Sequence, residues 1–280
     1  MLQAADVSFG YRDELVVRDV SVEVADDGFV GIIGPNGSGK TTLLRLLAGT
    51  RTPKRGTVTL DGAALASLPR ASIARRMAVV PQETQLAFEY SVLEVVLMGR
   101  YPHLGAFAVE GPDDIAVARG ALTSTGTLEL QERAFSTLSG GEKQRVIIAA
   151  ALAQLTSTDV AQPFRAATGA AAPAASMLLL DEPTAALDLK YQLSVATLLR
   201  TLHRERNLAV VISTHDLNFA AGLCKSLVML KRGQVIAAGT VDEVLTPARI
   251  RELYEVDAEV VRHPRTGYLH VTPVGTGEHQ

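Results

Sequence analysis

The chain has 280 residues, of which 47% are apolar, with a formal net charge of -3 and a single cysteine. That is apolar enough to bury one large domain or two small ones, and the scattered basic residues form no stripe that would argue for nucleic acid. Cys224 alone excludes an internal disulfide framework and suits a reducing compartment.

From the N-terminus, Met1–Asp6 lacks the basic region and apolar core of a secretory leader. Leu2–Phe9, Val16–Val24 and Thr57–Asp61 read as antiparallel strands. Phe29–Ile33, Met77–Val80, Met177–Leu180 and Leu208–Ile212 are short apolar runs alternating with helical stretches, the pattern of an α/β fold with a buried, largely parallel sheet. Three of these runs end in Gly34, Gln82 and Asp181-Glu182, and the fourth passes through Ser213-Thr214 into His215. Ligands sit at the carboxyl ends of such strands, so the four ends point to one site. Ala87–Leu155 has helical periodicity and no convincing strand, which predicts a helical subdomain inserted into the sheet domain. Thr156–Ser176, rich in Ala, Pro, Thr, Ser and Gly, predicts a long flexible loop. Leu227–Leu230 and Gln234–Ala238 flank a turn at Lys231-Arg232-Gly233. Glu259–Pro273 alternates around His263-Pro264-Arg265-Thr266-Gly267 as a terminal hairpin, with Gly275–Gln280 as a frayed tail. The longest apolar runs, near Val146–Leu155 and Met177–Leu180, fall far short of the roughly 18–20 residues of a membrane span. A soluble, cytoplasmic protein is expected, and any membrane span it works with must come from another chain.

Gly34-Pro35-Asn36-Gly37-Ser38-Gly39-Lys40-Thr41 fits G-x-x-x-x-G-K-[ST] between a predicted strand and the predicted helix Thr42–Ala48. In that setting the glycines let backbone N–H groups face phosphate oxygens, and the helix N-terminus adds partial positive charge. Lys40 is placed to reach the β- and γ-phosphates of ATP, and the Thr41 hydroxyl to ligate Mg²⁺. The run Met177–Asp181 ends in an acid followed by Glu182. Asp181 can hold the same Mg²⁺ while Glu182 polarises the attacking water. Leu138-Ser139-Gly140-Gly141-Glu142 opens a predicted helix, Lys143–Gln154. Ser139 and Glu142 are spaced as a capping box, so a merely well-capped helix is one reading. Two consecutive glycines are a costly helix start, however, and make sense if their N–H groups meet a second anion. A composite site shared between two copies of the chain is then expected.

Taken together these motifs, over nearly the whole chain, resemble the nucleotide-binding subunit of ATP-binding-cassette (ABC) transporters. Gly34–Thr41 matches the Walker A loop, Leu178–Asp181 the Walker B strand and Leu138–Glu142 the signature motif. The resemblance implies a P-loop NTPase fold of ABC type, with an antiparallel β subdomain and the inserted helical one. It implies an ATP site of Gly34 through Thr41 with Thr42, and of Ser139, Gly140 and Gly141. Glu182 is the implied catalytic base. Gln82 matches the Q-loop residue that senses the γ-phosphate and Mg²⁺ and touches the membrane subunit. His215 matches the switch histidine on the γ-phosphate, Asp188 lies in the D-loop Ala186-Leu187-Asp188, and Tyr11 stands where an aromatic stacks on adenine.

The resemblance further implies a head-to-tail homodimer, coupling to two integral membrane permease subunits and indirectly to a substrate-binding protein, and a peripheral place on the cytoplasmic face of the membrane. Ser91–His103 and the tail from Val260 to Pro273 are similar to the ATPases of importers for iron–siderophores, haem and cobalamin. The bland reading of the former is an amphipathic helix with Val92, Val95, Val96 and Gly99 packed inward. The long Thr156–Ser176 connection, similar to that of some haem-importer ATPases, tilts the expected cargo toward haem. The expected domains are an ATPase domain over 1–255, its helical part about 87–155 and its loop about 156–176, and an extension over 256–280. The rival from the same family is an ATPase of an exporter or of another small-solute importer. A soluble ABC ATPase of DNA repair or translation is the rival from another class. It would bring paired cassettes, coiled coils or zinc-binding cysteines that this sequence lacks.

Overall fold

Phe29–Ile33 and Ala209–Thr214 are buried along their whole length, as a strand covered on both faces must be. Their register is parallel, Phe29 opposite Val210 through Ile33 opposite Thr214. The computed structural model describes residues 1–12, 14–105, 107–157, 175–185 and 187–276. These fall into two units, one made of Met1–Ser67, Leu180–Glu182 and Ala209–Gln280, the other of Leu68–Leu179 and Pro183–Leu208.

In the first unit Phe29–Ile33 also pairs in parallel with Ser226–Lys231, which turns at Arg232-Gly233 into the antiparallel strand Gln234–Thr240. Leu180 and Asp181, the last residues of the strand Met177–Asp181, lie beside Ala209–Thr214. A second, antiparallel sheet runs in the order Glu14–Val24, Leu2–Tyr11, Arg55–Leu60, Ala63–Ala64. Phe29, Ile32 and Ile33 are at most 2% exposed. Burying each contributes roughly 1.5–3 kcal/mol, which holds the strand that leads into Gly34. The expected strand Leu208–Ile212 in fact spans Ala209–Thr214, because the hydroxyls of the buried Ser213 and Thr214 find partners and the ladder continues.

The C-terminal hairpin is longer than expected, Val256–Arg262 pairing with Leu269–Thr276. Gly275 and Thr276, expected in a frayed tail, instead pair with Asp257 and Val256. Residues 277–280 of that tail lie outside the described residues, as do 158–174 of the expected loop and Ala186.

In the second unit Met77–Val80 lies beside Met177–Leu179. The helices Arg70–Arg76 and Gly140–Leu155 pack on Met77–Val80, and Val92–Leu97, Pro112–Thr125 and Leu189–Arg206 pack in turn on Gly140–Leu155. Within 87–155 the described residues hold only an isolated bridge, Ser91 with Ala134, and no strand. Val92, Val95, Val96 and Gly99 are buried, as an amphipathic helix requires. A Cβ on Gly99 would stand 2.2 Å from the Ala150 oxygen, so only glycine permits this approach. The next residue, Arg100, is fully buried. It donates to Asp114 at 2.9 Å and to the Ala153 and Thr156 carbonyls that end Gly140–Leu155. The guanidinium thus satisfies carbonyls the helix leaves without partners. Among the described residues no helix is long and apolar enough to cross a membrane.

Candidate functional site

Gly34 to Gly39 form the turn between Phe29–Ile33 and the helix Lys40–Leu47, two residues earlier than the expected Thr42–Ala48. The start moves because Gly39, at φ 104°, breaks the helical run and serves as its N-cap without a side chain. A Cβ at Gly39 would lie 2.8 Å from the Val16 oxygen, and one at Gly34 2.2 Å from the Leu230 oxygen. The loop is pinned from outside by these close approaches and by the Gly233 N–H on the Ser38 carbonyl at 2.9 Å. Its first helical turn holds no acidic residue and receives no side-chain cap. Among the described residues the Ser38 hydroxyl is buried without a partner. Uncapped N–H groups, a partial positive charge and an orphaned hydroxyl fit a phosphate chain.

Lys40 is 5% exposed, and its ammonium donates to the Gly34 and Pro35 carbonyls at 3.0 and 3.2 Å. It also stands 3.3 Å from Glu182 Oε1. The Thr41 hydroxyl donates to Asp181 Oδ1 at 3.0 Å, joining the phosphate loop to the end of the strand Met177–Asp181. Hard oxygen donors of this kind fit Mg²⁺, which binds through one or two carboxylates plus substrate phosphates. Thr42 is buried in the first helical turn.

Glu182 sits at φ 44°, a conformation unusual for a residue with a side chain. Its N–H donates to the Ser213 carbonyl at 3.0 Å and lies 3.1 Å from the Ser213 hydroxyl. That hydroxyl donates to Asp181. Ser213 therefore orders both acids, a part that sequence reasoning missed, although its place two residues before His215 at a strand end was the signal. His215 Nδ1 is 3.2 Å from Glu182 Oε2. The carboxylate, its side chain 12% exposed, lies between a buried ammonium and an imidazole that is 54% exposed. A base held by two cationic or donor groups at the mouth of a phosphate loop can orient water against a phosphate.

Tyr11 ends the strand Leu2–Tyr11, 46% exposed, with its ring edge-on to Phe9 at 5.3 Å. Gln82, Ser139, Gly140, Gly141 and Asp188 belong to the second unit. There Gln82 is exposed and lines a cleft with Gly140, Lys143, Gln144 and Leu187. The helix expected at Lys143–Gln154 begins at Gly140, because the capping box at Ser139 starts it there. Ser139 Oγ accepts the Glu142 N–H at 3.4 Å, and the Glu142 carboxylate accepts the Ser139 N–H and hydroxyl, both at 2.8 Å. Those bonds hold the Glu142 carboxyl below the usual range. A Cβ on Gly141 would stand 2.3 Å from the Tyr191 ring, so the second glycine is also required by packing. Asp188 is the exposed N-cap of Leu189–Arg206, without a side-chain cap bond.

The family model for ABC transporters matches residues 17–157, from within the strand Glu14–Val24 to just past the helix Gly140–Leu155. The chain belongs to the ABC transporter family. This ABC ATPase is 41% identical over 276 residues to the hemin import ATP-binding protein of Gloeobacter violaceus, covering 99% of this chain and 95% of the relative. It is 40% identical over 259 residues to the cobalamin import ATP-binding protein of Halobacterium salinarum, covering 92% of this chain and 60% of that longer protein. Among solved structures, the cassette is similar to a metal-chelate type ABC transporter in an inward-facing conformation. The TM-score is 0.80 at 28% identity, over 98% of this chain and 96% of the other.

Proposed function

We propose that the chain is the ATP-hydrolysing subunit of an importer for a metal chelate, either an iron chelate (haem or a ferric siderophore) or cobalamin. The observation that carries the hydrolytic part is Glu182, held between Lys40 and His215 one residue after an Asp181 that is bonded to Thr41. The cargo class rests on relatives that import hemin and cobalamin.

In this reading Gly34 to Thr41, with Thr42, bind the phosphates of ATP, and Tyr11 packs on the adenine. Thr41, Asp181 and Gln82 hold Mg²⁺, which when bound neutralises charge on the phosphates. Glu182 takes the proton of the attacking water through its carboxylate. Lys40 shifts from Glu182 to the phosphates as nucleotide enters. His215 bonds the γ-phosphate. Ser139, Gly140 and Gly141 from a second copy complete the site, and Asp188 lies at the contact between copies. The dimer is peripheral on the cytoplasmic face of the membrane, attached through two permease subunits that a substrate-binding protein feeds. Nucleic acid is no partner.

The test is transport by the complex reconstituted with its permease and substrate-binding protein. ATP-dependent uptake of haem, a ferric siderophore or cobalamin is expected, and Glu182→Gln is expected to abolish it. Outward transport, or uptake of none of the three, overturns the cargo reading while leaving hydrolysis intact.

A further inference from the structure

The segment that carries His215 is gripped from the C-terminal side at two points. The first is Tyr254, the last residue of the helix Pro247–Tyr254. Its hydroxyl donates to the His215 main-chain oxygen at 3.4 Å and also meets the backbone of Gly34, the first residue of the phosphate loop. Burial pushes the phenol above its ordinary range, so the hydroxyl keeps its proton and stays a donor. The second is Asn218, in the first turn of the helix Leu217–Leu223 that Asp216 caps. Its amide pairs with the main chain of Val271 in both senses, accepting the Val271 N–H at 2.7 Å and donating to the Val271 carbonyl at 3.1 Å. Val271 is 3% exposed, in a hairpin whose strands, among the described residues, pair with each other and join no other sheet. The amide acts there as one rung of a neighbouring strand.

We propose that Tyr254 and Asn218 are positioning residues for His215, tying the switch segment to the C-terminal helix and hairpin so that its ring meets Glu182. The need follows from exposure. The His215 side chain is 54% exposed, and Glu182 is the partner found for its ring. Packing does little to orient a ring so open, so its direction depends on where the main chain is held. Tyr254 holds the carbonyl of that very residue and touches the phosphate loop as well. The helix Pro247–Tyr254 thereby sets the distance between the switch and the loop that the switch must serve. This rests on the role proposed above for His215.

The experiment compares ATP hydrolysis by the full-length chain and by Tyr254→Phe, Asn218→Leu, His215→Ala, and each of the first two combined with His215→Ala. Loss of one such hydrogen bond is expected to lower kcat about three- to tenfold while KM for ATP stays within about twofold. In the His215→Ala background neither substitution is expected to lower kcat further, because both act through that residue. A merely structural role would lower the rate in both backgrounds. Wild-type kcat in Tyr254→Phe, or an equal drop with and without His215, overturns the proposal. If Asn218→Leu loses the fold, Tyr254→Phe, which keeps the ring, decides alone. Wild-type turnover in His215→Ala removes the role of His215 itself, and the proposal falls with it.

Discussion

The helices Lys40–Leu47 and Gly140–Leu155 both start at glycines, and they satisfy their first N–H groups in opposite ways. At the first, Gly39 in the left-handed region offers no side chain, the opening turn holds no acid, and the Ser38 hydroxyl is buried without a partner among the described residues. At the second, Ser139 and Glu142 close a capping box, and the Glu142 carboxylate already sits at the positive end of the helix. The first start leaves its dipole for an anion from outside. The second has largely met its own needs through its capping box, so in the proposed function its N–H groups meet a phosphate that another surface presents. On the proposed reading of both starts as phosphate sites, one open and one self-capped, the chain suits a dimer in which each ATP is held firmly on one side and touched on the other.

The sharpest way to break that comparison lies in the chemistry attached to the open site. Glu182→Gln is expected to lower turnover about 10²–10⁴-fold with ATP still bound, as removal of a general base does. An ATP-dependent dimer should then accumulate on size exclusion, and near-normal phosphate release would remove Glu182 from the role. Lys40→Ala should weaken ATP binding about 10–100-fold by calorimetry, since a charge-assisted contact is lost. Ser139→Ala should leave the affinity of the isolated chain within about twofold. Equal losses at Lys40 and Ser139 would mean that the two starts are not different in kind.

Stability separates the same two regions more gently. Gly39→Ala forces a side chain to φ 104° and toward the Val16 oxygen, costing roughly 1–3 kcal/mol in urea titration. Among the described residues a Cβ at Gly140 meets Leu187 at 3.4 Å, an ordinary contact, and the better helix propensity of alanine makes Gly140→Ala about neutral. The smallest effect is one of pH. Glu142 is held below its ordinary 4.5 by the Ser139 N–H and hydroxyl. Its folded value is thus depressed, so its contribution is complete above the unfolded value and is lost as pH falls through the folded one. Glu142→Gln keeps the cap without the charge. Below about pH 4.5 the Tm of the wild-type chain should therefore fall faster than that of the variant. Parallel pH curves would show that the cap does not need a carboxylate.

Much of this was legible in the residues because it is local or periodic. The apolar runs Phe29–Ile33 and Met77–Val80 are strands with the expected bounds, since a strand buried on both faces has little choice of composition. The capping box at Ser139 was visible because its partners are three residues apart. Helix starts were misplaced by a few residues where glycine, neutral to periodicity, marks the boundary at Gly39 and Gly140. The pairing of Gly275 and Thr276 was hidden because it depends on Asp257 and Val256 across the hairpin, and neither residue advertises it.

The sequence by itself determined the family, the α/β class, the phosphate loop and the acids at the end of the strand Met177–Asp181. Each is written in a short run whose spacing is the chemistry. Only the tertiary structure decided which groups meet across long separations. Ser213 bonds Asp181, Thr41 bonds Asp181, Lys40 faces Glu182, and Tyr254 holds His215. Such contacts join residues that lie on different elements, and a hydroxyl or amide carries no mark in the sequence of the partner that the fold will bring to it.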